Sequence, residues 1–391
     1  MVMNKPNGLN IDKWVSVELQ DVSNEINEKL SDLTEYPNEK FIRPENLEIG
    51  DLFIKSYRTT EDVRSGKRCY PNDIIFARRS VSVSQFKRRS CILNFEAICS
   101  DELTVIREND KVVTGFLNLL LNTTSLWDFG ISRSVGSVSK RIKWQDLSKY
   151  QFKLPPKDEQ EKILSLFLTL EKQIEQTEAQ EGNLRKLRTK LATELVSNTP
   201  KFGSLLNGNC KKVTLSDLAK ESRATARNPL DEGIERFVGL EHIEPGNLKI
   251  QGWGNVADGT TFTKVFEEGD VLFGRRRAYL KKAAKADFKG LCSGDITVLK
   301  ANPKNIKPEL LPYYMSADPV FEFAVSNSAG SLSPRAKWRD LSKMELAIPD
   351  LKTQEEILKV FELLDKNIEG LANQKETLKK LKHKLLDEIL G

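Results

Sequence analysis

Reactive side chains are scarce in this sequence, and each scarcity excludes a class of function. Two histidines occur among 391 residues, His242 and His383, and neither has a partner at metal-ligand spacing. The five cysteines, Cys69, Cys91, Cys99, Cys210 and Cys292, form no C-x-x-C pair and are odd in number. That argues against a disulfide framework or a zinc site and predicts reduced thiols. No G-x-x-x-x-G-K-[ST] loop is present, which disfavours an ATP-driven motor. The only Pro-Pro pair, in Leu154-Pro155-Pro156-Lys157, lacks the preceding acid or amide and the following aromatic of an adenine methyltransferase loop. Glu267, Glu268 and Asp270 fall in a turn with no matching lysine motif, which disfavours a nuclease metal site. The longest apolar stretch, near residues 116–121, is far too short to span a bilayer, and residues 1–14 lack the apolar core of a signal peptide. These absences predict a cytoplasmic binding protein with no catalytic residue, metal or cofactor of its own.

What the chain has is repetition. Residues 136–196 (GSVSKRIKWQDLSK…) align without a gap with residues 330–390 (GSLSPRAKWRDLSK…) at an offset of 194, and 27 of the 61 positions are identical. A half-length repeat means two copies of one unit. Upstream, NDIIFARRS from Asn72 matches GDVLFGRRR from Gly269 at an offset of 197, and AICSDELTVIR from Ala97 matches GLCSGDITVLK from Gly290 at 193. The globular segments are therefore duplicated too, with insertions and deletions that the helical copies lack. Both matched pieces read as strands, with turn residues ahead of apolar runs, and predict mixed α/β domains. Cys99 and Cys292 fall at equivalent places and read as small core residues.

The helical blocks carry apolar stripes at four-three spacing. The first is Ile163, Phe167, Leu170, Ile174, Leu184 and Leu191, with polar interruptions at Thr177, Glu181 and Arg188. The second is Ile357, Phe361, Leu364, Ile368, Leu378 and Leu385. Such stripes predict coiled-coil helices, begun after Pro155-Pro156 and Pro349, each about 60 Å long at about 1.5 Å per residue. An exposed stripe needs a partner, and each helix offers the other, running antiparallel. The expected fold is α+β: two mixed α/β domains (residues 1–152 and 199–348) separated by two long antiparallel helices (153–198 and 349–391), with internal pseudo-twofold symmetry.

Net charge is +5, so the placement of charge matters more than its sum. Arg78, Arg79, Lys87, Arg88 and Arg89 cluster in the first copy, and Arg275, Arg276, Arg277, Lys281 and Lys282 in the second. A further pair of patches precedes the helices: Arg133, Ser139, Lys140, Arg141 and Lys143, then Ser333, Arg335 and Lys337. A lone charge run is usually a solvated face. Basic clusters repeated at matching places, with serines beside them, suit phosphate contacts and readout of guanine edges, which makes double-stranded DNA the leading partner. A coiled-coil protein adaptor, with charge serving only solubility, is the alternative. Trp144 and Trp338, at one repeat position, are expected to pack each domain against the root of its helix.

The alternation of two variable domains with two similar helical blocks, the G-S-x-S-x-R-x-K-W-x-D-L-S-K lead-in and the P-x(4)-Q-E-x-I-L helix starts resemble the specificity subunit of type I restriction-modification systems. The resemblance covers nearly the whole chain. It implies two target recognition domains, each reading one half of a bipartite asymmetric DNA sequence, and helices that act as spacer and as docking surface for two methyltransferase subunits. It also implies adenine methylation with S-adenosylmethionine, and restriction subunits using ATP and Mg, all on the partners. Base-reading residues do not carry over, because recognition domains differ between members.

Overall fold

Continuous apolar runs decide where the strands lie: Ile74–Ala77 and Val271–Gly274 have no polar alternation, and both are strands buried along their whole length. The computed structural model describes residues 9–80, 89–136, 139–197, 199–206, 210–330 and 333–391, so Lys87 and Arg88 of the first basic cluster lie outside the described residues. The chain forms two compact units, residues 1–178 with 373–391, and residues 179–372. Each unit takes one globular segment and a part of each long helix.

In unit 1 a four-stranded sheet runs in the order Ser23–Ile26, Leu103–Glu108, Ile74–Ala77, Ser90–Ile92. Beside it in sequence is a five-stranded sheet, Lys29–Leu30, Gly66–Cys69, Ala97–Cys99, Lys40–Ile42, Arg58–Thr59. Unit 2 repeats the plan with Ala219–Glu221, Ile296–Ala301, Val271–Gly274, Ala283–Lys285, and with Gly254–Asn255, Arg236–Val238, Gly290–Cys292, Lys264–Phe266. Even the parallel pair is duplicated, Ala97–Cys99 beside Lys40–Ile42 and Gly290–Cys292 beside Arg236–Val238. The cores match as well. Phe76 stacks on Trp127 at 4.6 Å in unit 1, and Phe273 on Phe321 at 5.1 Å in unit 2. Trp144 and Trp338 pack, half-buried, against those cores. All five thiols are free; Cys99 and Cys292 are fully buried, and burial pushes Cys292 up to about 12.

The long helices are Lys157–Leu195 and Leu351–Leu390. Pro155 and Pro156 precede the first; Pro349 instead ends the strand Glu345–Pro349, paired with Cys210–Thr214. Ile163, Phe167 and Leu170 share one core cluster with Leu386 and Ile389 of the second helix in unit 1, and Leu195 shares another with Ile357 and Phe361 in unit 2. Ile174 and Ile368 are buried as well, while Leu184, Leu191, Leu364, Leu378 and Leu385 are half-buried. In unit 1 Glu171 meets Lys382 and Glu178 meets Lys375, so the two helices run antiparallel.

The polar interruptions of the stripes have partners. Lys382, on the second stripe, pairs with the buried Glu171 and donates to the Gly50 carbonyl. Arg188 pairs with Asp365 and donates to the Gly246 carbonyl at 2.5 Å. Under the repeat, Glu171 corresponds to Asp365 and Arg188 to Lys382, so each unit contains one copy of the same lock.

Candidate nucleic-acid interface

In each unit a buried strand carries arginines to its end, and a second segment brings another arginine opposite. In unit 2 Val271–Gly274 leads into Arg275, Arg276 and Arg277, and Arg276 bridges Arg335 in antiparallel register. Ala336 N–H donates to the Arg275 carbonyl at 2.9 Å, which fixes the approach. In unit 1 Ile74–Ala77 leads into Arg78 and Arg79, Arg79 lies opposite Arg141, and Ile142 N–H donates to the Arg78 carbonyl at 2.9 Å.

Like charges directly opposite on a ladder repel, so such a pair needs an anion. Asp295 supplies one in unit 2, 3.1 Å from Arg276 and 2.8 Å from Arg335. Arg276 Nε also donates to Ser333 Oγ at 2.6 Å. Burial pushes the Asp295 carboxyl up, but the hydrogen bonds from Arg335 and Arg276 outweigh it and hold the group below its ordinary range. The equivalent acid in unit 1 is Glu102, 3.3 Å from Arg79. Arg78 donates to the Asp101 carbonyl at 2.5 Å, and burial, then the charges of Arg141 and Arg79, depress its pKa. Each unit therefore holds a partly exposed arginine pair beside an acid: Asp295 meets both arginines in unit 2, and Glu102 meets Arg79 in unit 1.

The remaining predicted residues divide. Lys143 and Lys337 are exposed at the helix lead-ins, with Lys140 half-exposed and Ser139 exposed beside them. Both lead-ins begin at a glycine, Gly136 and Gly330, with φ of 118° and 115°, a conformation other residues rarely adopt. Arg133 folds back onto its own helix, with its guanidinium 3.7 Å from the Phe129 ring centroid. Arg89 donates to the Pro44 carbonyl at 2.8 Å, Lys281 pairs with Asp318 at 2.7 Å and Lys282 donates to the Leu240 carbonyl at 2.7 Å. These anchor loops.

Sequence reasoning missed the anchoring acids Glu102 and Asp295. Both follow the matched Cys-Ser of the repeat by the same spacing, which was the available signal. It also missed a second duplicated constellation. Lys40 Nζ lies 5.1 Å from the Tyr57 ring and 4.3 Å from Phe95, and Arg236 lies 4.4 Å from Trp253 and 5.2 Å from Phe288. Tyr57 and Trp253 are exposed, and every member but the phenylalanine changed identity while the chemistry was kept. Among the described residues no cluster of His, Cys, Asp or Glu could hold a metal ion, and no helix is long and apolar enough to cross a membrane.

Comparison with known proteins agrees with this duplication. The family model described as type I restriction modification DNA specificity domain matches twice, over residues 11–183 and 209–380. The type I restriction enzyme EcoDI specificity subunit of Escherichia coli is 25% identical over 260 residues, covering 59% of this chain. The chain thus spans 58% of the length of that relative. Among solved structures, one from a study of the assembly and conformational transition of a type I R-M system superposes with a TM-score of 0.55 at 18% identity, covering 99% of this chain and 98% of that one. The type I restriction-modification system S subunit from M. genitalium gives a TM-score of 0.51 at 13% identity, covering 100% of this chain and 98% of that one. At these identities the two structures speak for the fold.

Proposed function

Because this chain belongs to the type I restriction-modification DNA specificity family, we propose that it reads a bipartite, asymmetric DNA sequence, one half-site per unit, and directs the methylation and restriction that partner subunits perform. A specificity subunit is itself non-catalytic. The observation that supports this reading is the cross-strand arginine pair at matching places in both units: Arg79 with Arg141, and Arg276 with Arg335. Guanidinium pairs of this kind bind phosphate or a guanine edge, and the surrounding residues differ between the two units, as two unlike half-sites require.

Two methyltransferase subunits are proposed to dock on the long helices. Adenine methylation with S-adenosylmethionine would occur on those subunits, and restriction with ATP and Mg on restriction subunits, in the cytoplasm and away from membranes. Co-expression with the system's methyltransferase followed by methylome sequencing should yield a single asymmetric bipartite motif. Scattered or absent methylation would overturn the reading. In the assembled complex, Arg276→Ala with Arg335→Ala should reduce the slope of log binding constant against log salt by about two, one per lost phosphate contact. A complex with no salt-sensitive DNA binding would instead favour a protein adaptor.

A further inference from the structure

One turn of unit 2 is held in a conformation that its residues resist. Among the described residues five non-glycines have positive φ; three are Asn or Asp, which tolerate it, and the other two are Arg277 and Lys281, both at 51°. They bracket a single 3-10 turn, Ala278–Leu280. Strain of this kind persists only where the surroundings impose it, and it gathers at functional positions.

The surroundings do impose it. Arg277 N–H donates to the Pro334 carbonyl at 2.9 Å and Gly274 N–H to the Lys282 carbonyl at 2.8 Å. Lys281 is tied to Asp318 and Lys282 to the Leu240 carbonyl, while Ala278 is buried as the foot of the turn. The result is a rigid projection whose tip is apolar: Tyr279 is 55% exposed and Leu280 40%. The turn follows Arg276 within two residues, so it adjoins the Arg276–Arg335 bridge, whose guanidinium groups suit a polyanion.

Resting on the DNA-reading function, we propose that Tyr279 is a base-stacking side chain that enters the duplex at the half-site read by unit 2, with Leu280 flanking it. An aromatic on a preformed turn loses little freedom on insertion, and partial unstacking at a base step makes the contact depend on sequence. Unlike the arginines, it adds affinity without releasing counterions.

The test uses the complex with methyltransferase subunits, comparing Tyr279→Ala, Tyr279→Phe and wild type on the cognate duplex over a range of salt, with 2-aminopurine placed in the unit-2 half-site. Tyr279→Ala should weaken cognate binding about tenfold with an unchanged salt slope, a loss typical of one stacked base, and should abolish the 2-aminopurine response. Tyr279→Phe should behave as wild type. Wild-type affinity and 2-aminopurine signal in Tyr279→Ala would overturn the inference, as would a Tyr279→Ala defect confined to complex assembly, which would make the ring a protein contact. If the wild-type complex shows no cognate preference, it is the DNA-reading function that fails.

Discussion

Gln160 and Gln354 are buried and have both ends of the amide occupied. Gln160 accepts from Val113 N–H at 2.8 Å and donates to the Pro155 carbonyl at 2.8 Å; Gln354 accepts from Lys307 N–H at 2.8 Å and donates to the Pro349 carbonyl at 2.9 Å. Replacing Gln354 by Leu should cost about 1–3 kcal/mol, since it strands a backbone donor and acceptor, and a lowered urea midpoint would register it. The letter Q was legible in both copies, but its role was not, because its partner lies 47 residues upstream in each. Asp295 poses the same difficulty with a functional consequence. Its depressed pKa means that its ion pairs stabilise the fold at pH above the ordinary carboxylate range and are lost as pH falls below it. Asp295→Asn should therefore be less stable than wild type at neutral pH, by about 1 kcal/mol given the partial exposure of its arginines, and the difference should close in acid. Melting curves across pH 2 to 7 would check this.

Of all the elements, the long helices were the most legible, because a stripe spanning several heptads states its own period. Its register drifted, however. A strict heptad repeat advances 3.5 residues per turn and an α-helix 3.6, so four heptads accumulate about 80°, close to one residue position. Leu385, expected on the stripe, is half-buried while its neighbour Leu386 is buried; likewise Leu191 is half-buried and Ala192 buried. The charged locks were illegible for another reason. Arg188 reads as a polar interruption until a helix 177 residues away presents Asp365, and Lys382 waits for Glu171, 211 residues away. Removing one member of a buried pair leaves the other without compensation, so Lys382→Met should destabilise by about 3–5 kcal/mol. Lys162→Met, which breaks an exposed pair with Asp158, should cost less than about 1 kcal/mol. Parallel denaturant titrations separate the two.

The molecule as a whole keeps two kinds of record of its duplication. The helical copies align without a gap, whereas the globular copies have offsets of 197 and 193, so the length of the helical blocks was held fixed while the globular segments varied. Exchanging residues 1–152 for those of another family member should accordingly alter one half of the methylated motif and leave the other half and the gap between them unchanged, as methylome sequencing would report. The order of assembly follows from the interlaced units. Unit 1 is discontinuous: residues 373–391 complete it, with Asp387 accepting from Thr124 N–H at 2.7 Å. At about 5–20 residues per second, a ribosome that has finished residue 178 needs roughly 10–40 s more to deliver residue 373. Until then the first domain lacks the helix segment that completes its core, and the second, which ends at residue 372, is whole only at the close of that interval. The domain translated first is therefore the last to finish folding, and a nascent chain stalled in that window is the form most in need of a chaperone.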